Sequence, residues 1–231
     1  MKSERVKIFS LGETALTVSF GNDISAELNK KVLSLAFYFD ENGFPGLIEI
    51  VPAYASLSIF FDVSIVRKHF PEFSTAFAAV KYLAENALRN SAETPEKKSR
   101  LITIPVSFAE EYAPDLVLVA AENNLSIQEV VRIFTAETYR VYMLGFLPGF
   151  AYMGEVDERI AAPRKSNPRA DVSKGSVGIA GRQTGIYSLR SPGGWQIIGK
   201  TDVELFTPEA DSPTFLRAGD AVRFYRVDIE S

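Results

Sequence analysis

Tyr139-Arg140-Val141-Tyr142-Met143-Leu144-Gly145-Phe146-Leu147-Pro148-Gly149-Phe150-Ala151-Tyr152-Met153-Gly154 is aromatic and glycine-rich at once, and helix signals vanish where it begins. From Tyr139 onward, short apolar runs are separated by glycine and proline at short intervals, the pattern of a β-barrel or sandwich with many tight turns. Gly145, Gly149 and Gly154 permit backbone angles or close approach denied to other residues. Tyr142, Phe146, Phe150 and Tyr152 offer rings to wall a shallow pocket or, on the more ordinary reading, to fill a core.

Working outward, a strand over Ala221 to Val227, after the Gly219-Asp220 turn, is expected to close this module. Upstream, Ser126-Ile127-Gln128-Glu129 is a capping box that opens a helix to about Thr138. Pro114-Asp115 places proline and an acid at the start of a short helix over 115–122. Leu101 to Phe108 alternates as a strand. The polar stretch Arg89 to Arg100, interrupted by Pro95, suits a linker, so the division expected is 1–92, a linker over 93–100, and 101–231.

In the first part, Val6–Phe9 and Ala15–Phe20 read as a hairpin broken by Gly12-Glu13. Leu28, Val32, Leu35 and Phe39 then recur at helical spacing from a Ser25 N-cap to a stop at Asn42-Gly43. Strand-like runs return at Leu47–Val51 and Leu57–Phe61, followed by a short helix over Asp62–Phe70 and a longer one over Ser74–Leu88. The order strand, strand, helix, strand, strand, helix predicts an antiparallel sheet covered by helices, an α+β sandwich related to ferredoxin-like arrangements. No internal repeat is visible.

The 231 residues carry a formal net charge of -4 and no cysteine. The charge argues against a dedicated nucleic-acid binder, and the missing thiols remove disulfides, cysteine nucleophiles and cysteine-rich zinc sites together. No stretch approaches the roughly 20 apolar residues that span a bilayer, and the N-terminus lacks the apolar core of a signal peptide, so a cytoplasmic location away from membranes is expected. His69, the sole histidine, has no companion for a triad or a metal site, and no metal is expected. Glu110, Glu111 and Asp115 cluster near a helix start, where acids more often cap or face solvent. No complete catalytic set is visible, which favours a composite active site or a binding role.

Two further clusters accompany the opening one. Gly175-Ser176-Val177-Gly178-Ile179-Ala180-Gly181-Arg182-Gln183-Thr184-Gly185-Ile186-Tyr187 reads as a glycine-punctuated hairpin, or as a nest of bare N–H groups for an anion, with neither P-loop nor Rossmann spacing. Ser191-Pro192-Gly193-Gly194-Trp195 carries the only tryptophan on a tight turn, a packing residue or a ligand anchor. Between the opening cluster and the first of these two, Arg164, Lys165, Arg169 and Lys174 form a basic patch against a single Asp171.

These three clusters together resemble the KipI/PxpB family, also called allophanate hydrolase subunit 1 or carboxyltransferase subdomains C and D. The resemblance reaches the first part through Leu11-Gly12-Glu13-Thr14-Ala15-Leu16 and Val51-Pro52-Ala53-Tyr54-Ala55-Ser56-Leu57. It implies a ferredoxin-like N-terminal domain followed by a mainly β, cyclophilin-like barrel. The activity it implies is that of the B subunit in an ATP-dependent 5-oxoprolinase, opening 5-oxo-L-proline to L-glutamate with subunits A and C. ATP is then required by the complex, to make the lactam electrophilic. On this reading Tyr142, Phe146, Pro148, Gly149, Gln183, Tyr187 and Trp195 contribute to a pocket shared with the C-type subunit, and Lys174, Ser176 and Arg182 stabilise developing negative charge. Family members also include an inhibitor of a sensor histidine kinase, which would use Phe146, Pro148, Phe150 and Trp195 as an anchor, and components of urea-handling carboxyltransferases. The chain departs from the family pattern at Ala109 and Ala113, where glycines are frequent, and at Arg182.

Overall fold

The computed structural model describes residues 6–91 and 99–227. The chain divides into two compact units, Met1–Lys98 and Ser99–Ser231. Most of the expected linker, residues 93–98, lies outside the described residues.

The first unit runs β1 (Lys7–Ser10), β2 (Ala15–Ser19), α1 (Ala26–Glu41), β3 (Leu47–Pro52), β4 (Ser56–Phe61), α2 (Val63–His69) and α3 (Ala76–Asn90). Alternation in β4 decides the sheet's orientation. Leu57, Ile59 and Phe61 are fully buried in the same core as Val32, Leu35 and Phe39 of α1 and Val80 and Ala84 of α3. Ser58 points to the other face, where it meets Thr17 with 3.0 Å between hydroxyl oxygens. The strands are ordered β1-β2-β4-β3, and every neighbouring pair is antiparallel. Asp62 caps α2 by accepting from the Ile65 N–H, and Thr75 caps α3 by accepting from the Ala78 N–H. Ser25 precedes α1 as expected, but its side chain makes no cap bond.

The second unit runs β5 (Leu101–Val106), α4 (Leu116–Glu122), α5 (Ile127–Ala136), β6 (Tyr139–Leu144), β7 (Ala151–Gly154), β8 (Arg169–Val172), β9 (Ser176–Ala180), β10 (Gln183–Ile186), β11 (Ser191–Gly193), β12 (Gln196–Lys200) and β13 (Ala221–Arg226). Seven of these strands form one sheet, β12-β9-β10-β7-β6-β13-β5, while β8 and β11 pair as a separate ribbon. The capping box forms as the sequence implies: the Ser126 N–H donates to the Glu129 carboxylate at 2.8 Å, and the Glu129 N–H donates to Ser126 Oγ at 3.2 Å. Helix α5 drives Phe134 into the barrel, where it stacks on Phe224 of β13 at 4.9 Å.

The two ends of the seven-strand sheet meet. Just beyond β5, the Ser107 N–H donates to the Lys200 carbonyl at 2.8 Å, and the Lys200 N–H returns to the Ser107 carbonyl at 2.9 Å. This reciprocal pair nearly closes the sheet and leaves β5 and β12 with little free edge. The result is compatible with a cyclophilin-like barrel. Strand β13 runs parallel to β5 although it is antiparallel to β6. Such a pairing between the two ends of a unit carries no local signal, which is why strand signals alone left it undefined.

If the closure holds in solution, the Ser107 and Lys200 amides will exchange as slowly as those inside β9. Native-state hydrogen exchange measures this, and rapid exchange at both positions would mean an open sheet.

Candidate functional site

The loop between β6 and β7 is built from two consecutive turns. The Leu147 N–H donates to the Gly145 carbonyl at 2.9 Å across Phe146, whose φ is 69°, a γ-turn in the left-handed region. The Phe150 N–H then donates to the Leu147 carbonyl at 3.0 Å across Pro148-Gly149, with Gly149 at φ 77°, as a type II turn requires. Gly149 is also pressed against the 205–206 backbone, where a Cβ would lie 2.8 Å from the Leu205 carbonyl oxygen. Ser188 Oγ pins the turn by donating to the Pro148 carbonyl at 2.6 Å. Phe146 is thereby presented at 61% exposure in a conformation that costs a non-glycine residue about 1–3 kcal/mol. Of the glycines expected to supply conformational freedom, Gly149 uses it, whereas the strained position beside Gly145 falls one residue later, at Phe146.

Beneath Phe146 lies a cluster of rings. Phe146 meets Phe150 edge-on at 5.6 Å, and Phe150 is edge-on to Tyr152, Tyr187 and Trp195 at 4.8, 5.4 and 5.5 Å. The surrounding glycines are the seats for these rings. A Cβ on Gly185 would come within 2.8 Å of Phe150 Cζ, one on Gly178 within 3.1 Å of Trp195 Cβ, and one on Gly193 would collide with the Tyr187 hydroxyl. Glycine in β9, β10 and β11 thus lets aromatic faces approach the sheet.

The expected pocket residues fall mainly within this layer. Tyr187 and Trp195 are buried members of it, Phe146 and Pro148 are exposed at its rim, and Gly149 sets the turn. Gln183 is half-buried and shares its strand face with Gly185 and Tyr187, since Thr184 and Ile186 point inward. Tyr142 is buried farther along, its hydroxyl donating to Glu155 at 3.4 Å. The three sequence clusters therefore meet on one face of the sheet, packed rather than open.

The expected anion-binding trio is not brought together. Lys174 and Ser176 stand at the start of β9 and Arg182 just past its end. Lys174 is paired with Glu204 at 2.6 Å, and Arg182 with Glu155 at 2.9 Å and Glu158 at 3.1 Å. The proposed nest is also occupied, because the Gly175 N–H donates to the Tyr187 carbonyl at 2.7 Å and the Gly181 N–H to the Ala162 carbonyl at 2.6 Å. Ladder bonding between β9 and β10 uses the N–H groups that looked bare in the sequence.

The charged centre lies instead at Asp115, an acid that position alone assigned to capping. It makes no side-chain cap bond. Its carboxylate, 4% exposed, receives Arg169 Nη2 at 2.7 Å and Lys165 Nζ at 3.1 Å on one oxygen, and the Ile197 N–H at 2.7 Å on the other. The Asp115 N–H donates back to the Ile197 carbonyl at 3.0 Å. Burial alone would push this carboxyl up, but hydrogen bonds from Arg169, Ile197 and Lys165 together hold it below the ordinary carboxylate range. The signal in the sequence was the basic patch of Arg164, Lys165, Arg169 and Lys174 against a single Asp171; Asp171 pairs with Arg190 instead, and the acid that Lys165 and Arg169 meet lies about 50 residues upstream. His69, by contrast, hydrogen-bonds the Ile65 carbonyl on its own helix, at 3.0 Å.

Residues 6–216 match the family described as carboxyltransferase domain, subdomain C and D. The chain belongs to this family. Among its relatives, the 5-oxoprolinase B subunit from Bacillus subtilis (strain 168) is 48% identical over 224 residues, covering 96% of this chain and 93% of that protein. The 5-oxoprolinase B subunit from Escherichia coli O157:H7 is 38% identical, with 96% of both chains covered. Among solved structures, TTHA0988 superposes with a TM-score of 0.79 at 34% identity, covering 94% of this chain and 40% of that one. The carboxyltransferase module here thus spans less than half of that longer chain.

Replacing Asp115 with alanine leaves two cations without their buried partner, and the expected loss of stability is about 3–5 kcal/mol by denaturant unfolding. Because the folded carboxyl titrates below its unfolded value of about 3.9, its contribution is complete above that pH and lost as pH falls through the lower folded value. The Asp115→Asn variant should therefore lose less stability than the wild type between about pH 5 and pH 2. An Asp115→Ala protein as stable as the parent would remove the carboxylate from this role.

Proposed function

We propose that this chain is the B subunit of a heteromeric, ATP-dependent 5-oxoprolinase, acting with an A-type and a C-type subunit on 5-oxo-L-proline. The observation that carries the reading is near full-length similarity to proteins named as the B subunit of 5-oxoprolinase, from 33% to 48% identity. The site supports a shared rather than an autonomous active centre. Its rings are packed, and the exposed, strained Phe146 sits at their rim as a residue meant to be covered. We assign the covering surface to the C-type subunit.

The anion-binding groups expected from the sequence are not free to hold a triphosphate. Lys174 and Arg182 are committed to carboxylates, and the glycine N–H groups to neighbouring carbonyls. ATP is accordingly assigned to the complex, with its phosphates held by another subunit. The kinase-inhibitor reading is less well supported, since two of its four anchor residues, Phe150 and Trp195, are 1% and 4% exposed. The urea-handling reading rests on weaker similarity, 24% identity to the urea amidolyase of Saccharomyces cerevisiae.

The N-terminal unit we place with ferredoxin-like sandwiches. With the short α2 set aside, moving β1 from the front of the chain to its end would turn the order ββαββα into βαββαβ while keeping the sheet order β1-β2-β4-β3. No helix among the described residues is long and apolar enough to cross a membrane, and a cytoplasmic location fits the proposed substrate.

ATP hydrolysis that depends on 5-oxo-L-proline should appear when the chain is combined with both companion subunits and be absent from the chain alone. Full turnover by the isolated chain would contradict a shared centre. Phe146→Gly provides a second check, because glycine adopts φ 69° freely. Relief of about 1–3 kcal/mol of strain offsets the lost ring contacts, so stability should hold while affinity for the C-type subunit falls at least tenfold. Unchanged affinity would show that Phe146 is not the anchor.

A further inference from the structure

The dipeptide Pro148-Gly149 leaves its turn type open. Proline at the second position and glycine at the third are compatible with both type I and type II, which differ by a flip of the peptide between them, so the Pro148 carbonyl points to opposite sides in the two forms. Gly149 at φ 77° makes the turn type II, and the carbonyl that would flip is the one Ser188 holds, with Oγ donating at 2.6 Å. In the type I form that acceptor would face away. Ser188 is fully buried, so its hydroxyl would then have no water to turn to.

Ser188 is itself fixed. The Tyr187 N–H before it donates to the Ser176 carbonyl at 2.9 Å, and the Tyr187 carbonyl accepts from the Gly175 N–H at 2.7 Å, which ties the segment to the start of β9. The Tyr187 ring is buried edge-on to Phe150 at 5.4 Å. The loop depends on such a post. Its ends are joined by the Gly145 N–H donating to the Phe150 carbonyl at 3.1 Å, while between them Phe146 keeps φ 69° through its γ-turn bond and edge-on contacts to Phe150 at 5.6 Å and Tyr187 at 6.4 Å. A non-glycine residue stays in the left-handed region only while its surroundings over-determine it. Packing of Gly149 on Leu205 limits how far the turn can move, whereas a hydrogen bond to Pro148 sets which way its peptide faces.

We propose that Ser188 is the positioning residue of this loop: by holding the Pro148 carbonyl it locks the turn in its type II form and, through it, keeps Phe146 presented to a partner surface before that partner arrives. That the partner is the C-type subunit rests on the 5-oxoprolinase reading; the lock does not. Pre-organisation of this kind acts on affinity through the fraction of molecules already competent to bind.

The test uses the full chain carrying Ser188→Ala, read in two ways. Hydrogen exchange at the Leu147 and Phe150 amides, the two donors of the loop's turns, should accelerate at least tenfold while the amides of β9 keep their rates. Affinity for the C-type subunit should fall at least tenfold, and by less than twofold when the same substitution is made in Phe146→Gly, where there is no ring left to present. A general loss of stability would instead lower affinity equally in both backgrounds. Should the alanine variant not fold, Ser188→Cys, which keeps the size and weakens the donor, carries the same comparison with changes in the same direction. Unchanged exchange at Leu147 and Phe150, or an affinity loss of equal size with and without the Phe146 ring, overturns the proposal. The two readings fail separately. Tight binding of the C-type subunit that Ser188→Ala leaves intact would end this proposal and keep the enzyme. Accelerated exchange in the variant, with no binding of the C-type subunit even by the parent chain, would keep the lock and end the assignment of its partner.

Discussion

The second unit depends on a buried carboxylate. Asp115 exchanges two hydrogen bonds with Ile197, one through its backbone and one through its side chain, and so fixes the entrance of α4 to β12. Its other oxygen draws Lys165 and Arg169 in from a segment that otherwise carries little apolar side chain. Hydrophobic burial alone would leave that segment's position weakly determined, because proline, serine and asparagine have little surface worth removing from water. A charge-assisted contact supplies direction where packing cannot.

Glycine and aromatic residues work as complementary halves of the neighbouring layer. Bare strand surface at Gly178 and Gly185 lets Trp195 and Phe150 lie close, and those rings carry Tyr187 and Phe146 in turn. The same composition suggested an anion nest because both arrangements need residues without side chains. They part company on hydrogen bonding. A nest must leave its N–H groups outward, whereas a ladder consumes them, and β9 is bonded on both sides, by β10 and by β12.

Local physics made much of the architecture legible. The Ser126–Glu129 capping box, the helical spacing of Val32, Leu35 and Phe39, and the alternation at Leu57, Ile59 and Phe61 each depend on neighbours a few residues away, and each formed as read. What escaped depends on distant partners. Asp115 looked like a cap because its cations lie about 50 residues off, Arg182 looked available because Glu155 is 27 residues away, and the parallel joining of β5 to β13 spans the whole unit. The position of strain at Phe146 is a subtler case. Gly145 was the obvious candidate by residue type, but the hydrogen bond that closes the γ-turn selects the residue between Gly145 and Leu147 whatever its side chain.

The organising role given to Asp115 is most directly tested by a double-mutant cycle in unfolding free energy, comparing Asp115→Asn, Arg169→Met and the combination. A buried pair that shares geometry with a backbone contact should show a coupling of about 1–3 kcal/mol, since the second substitution removes little once the first has been made. Strict additivity, with a coupling below about 0.5 kcal/mol, would mean that the two side chains act independently and that the site is held in place by something else.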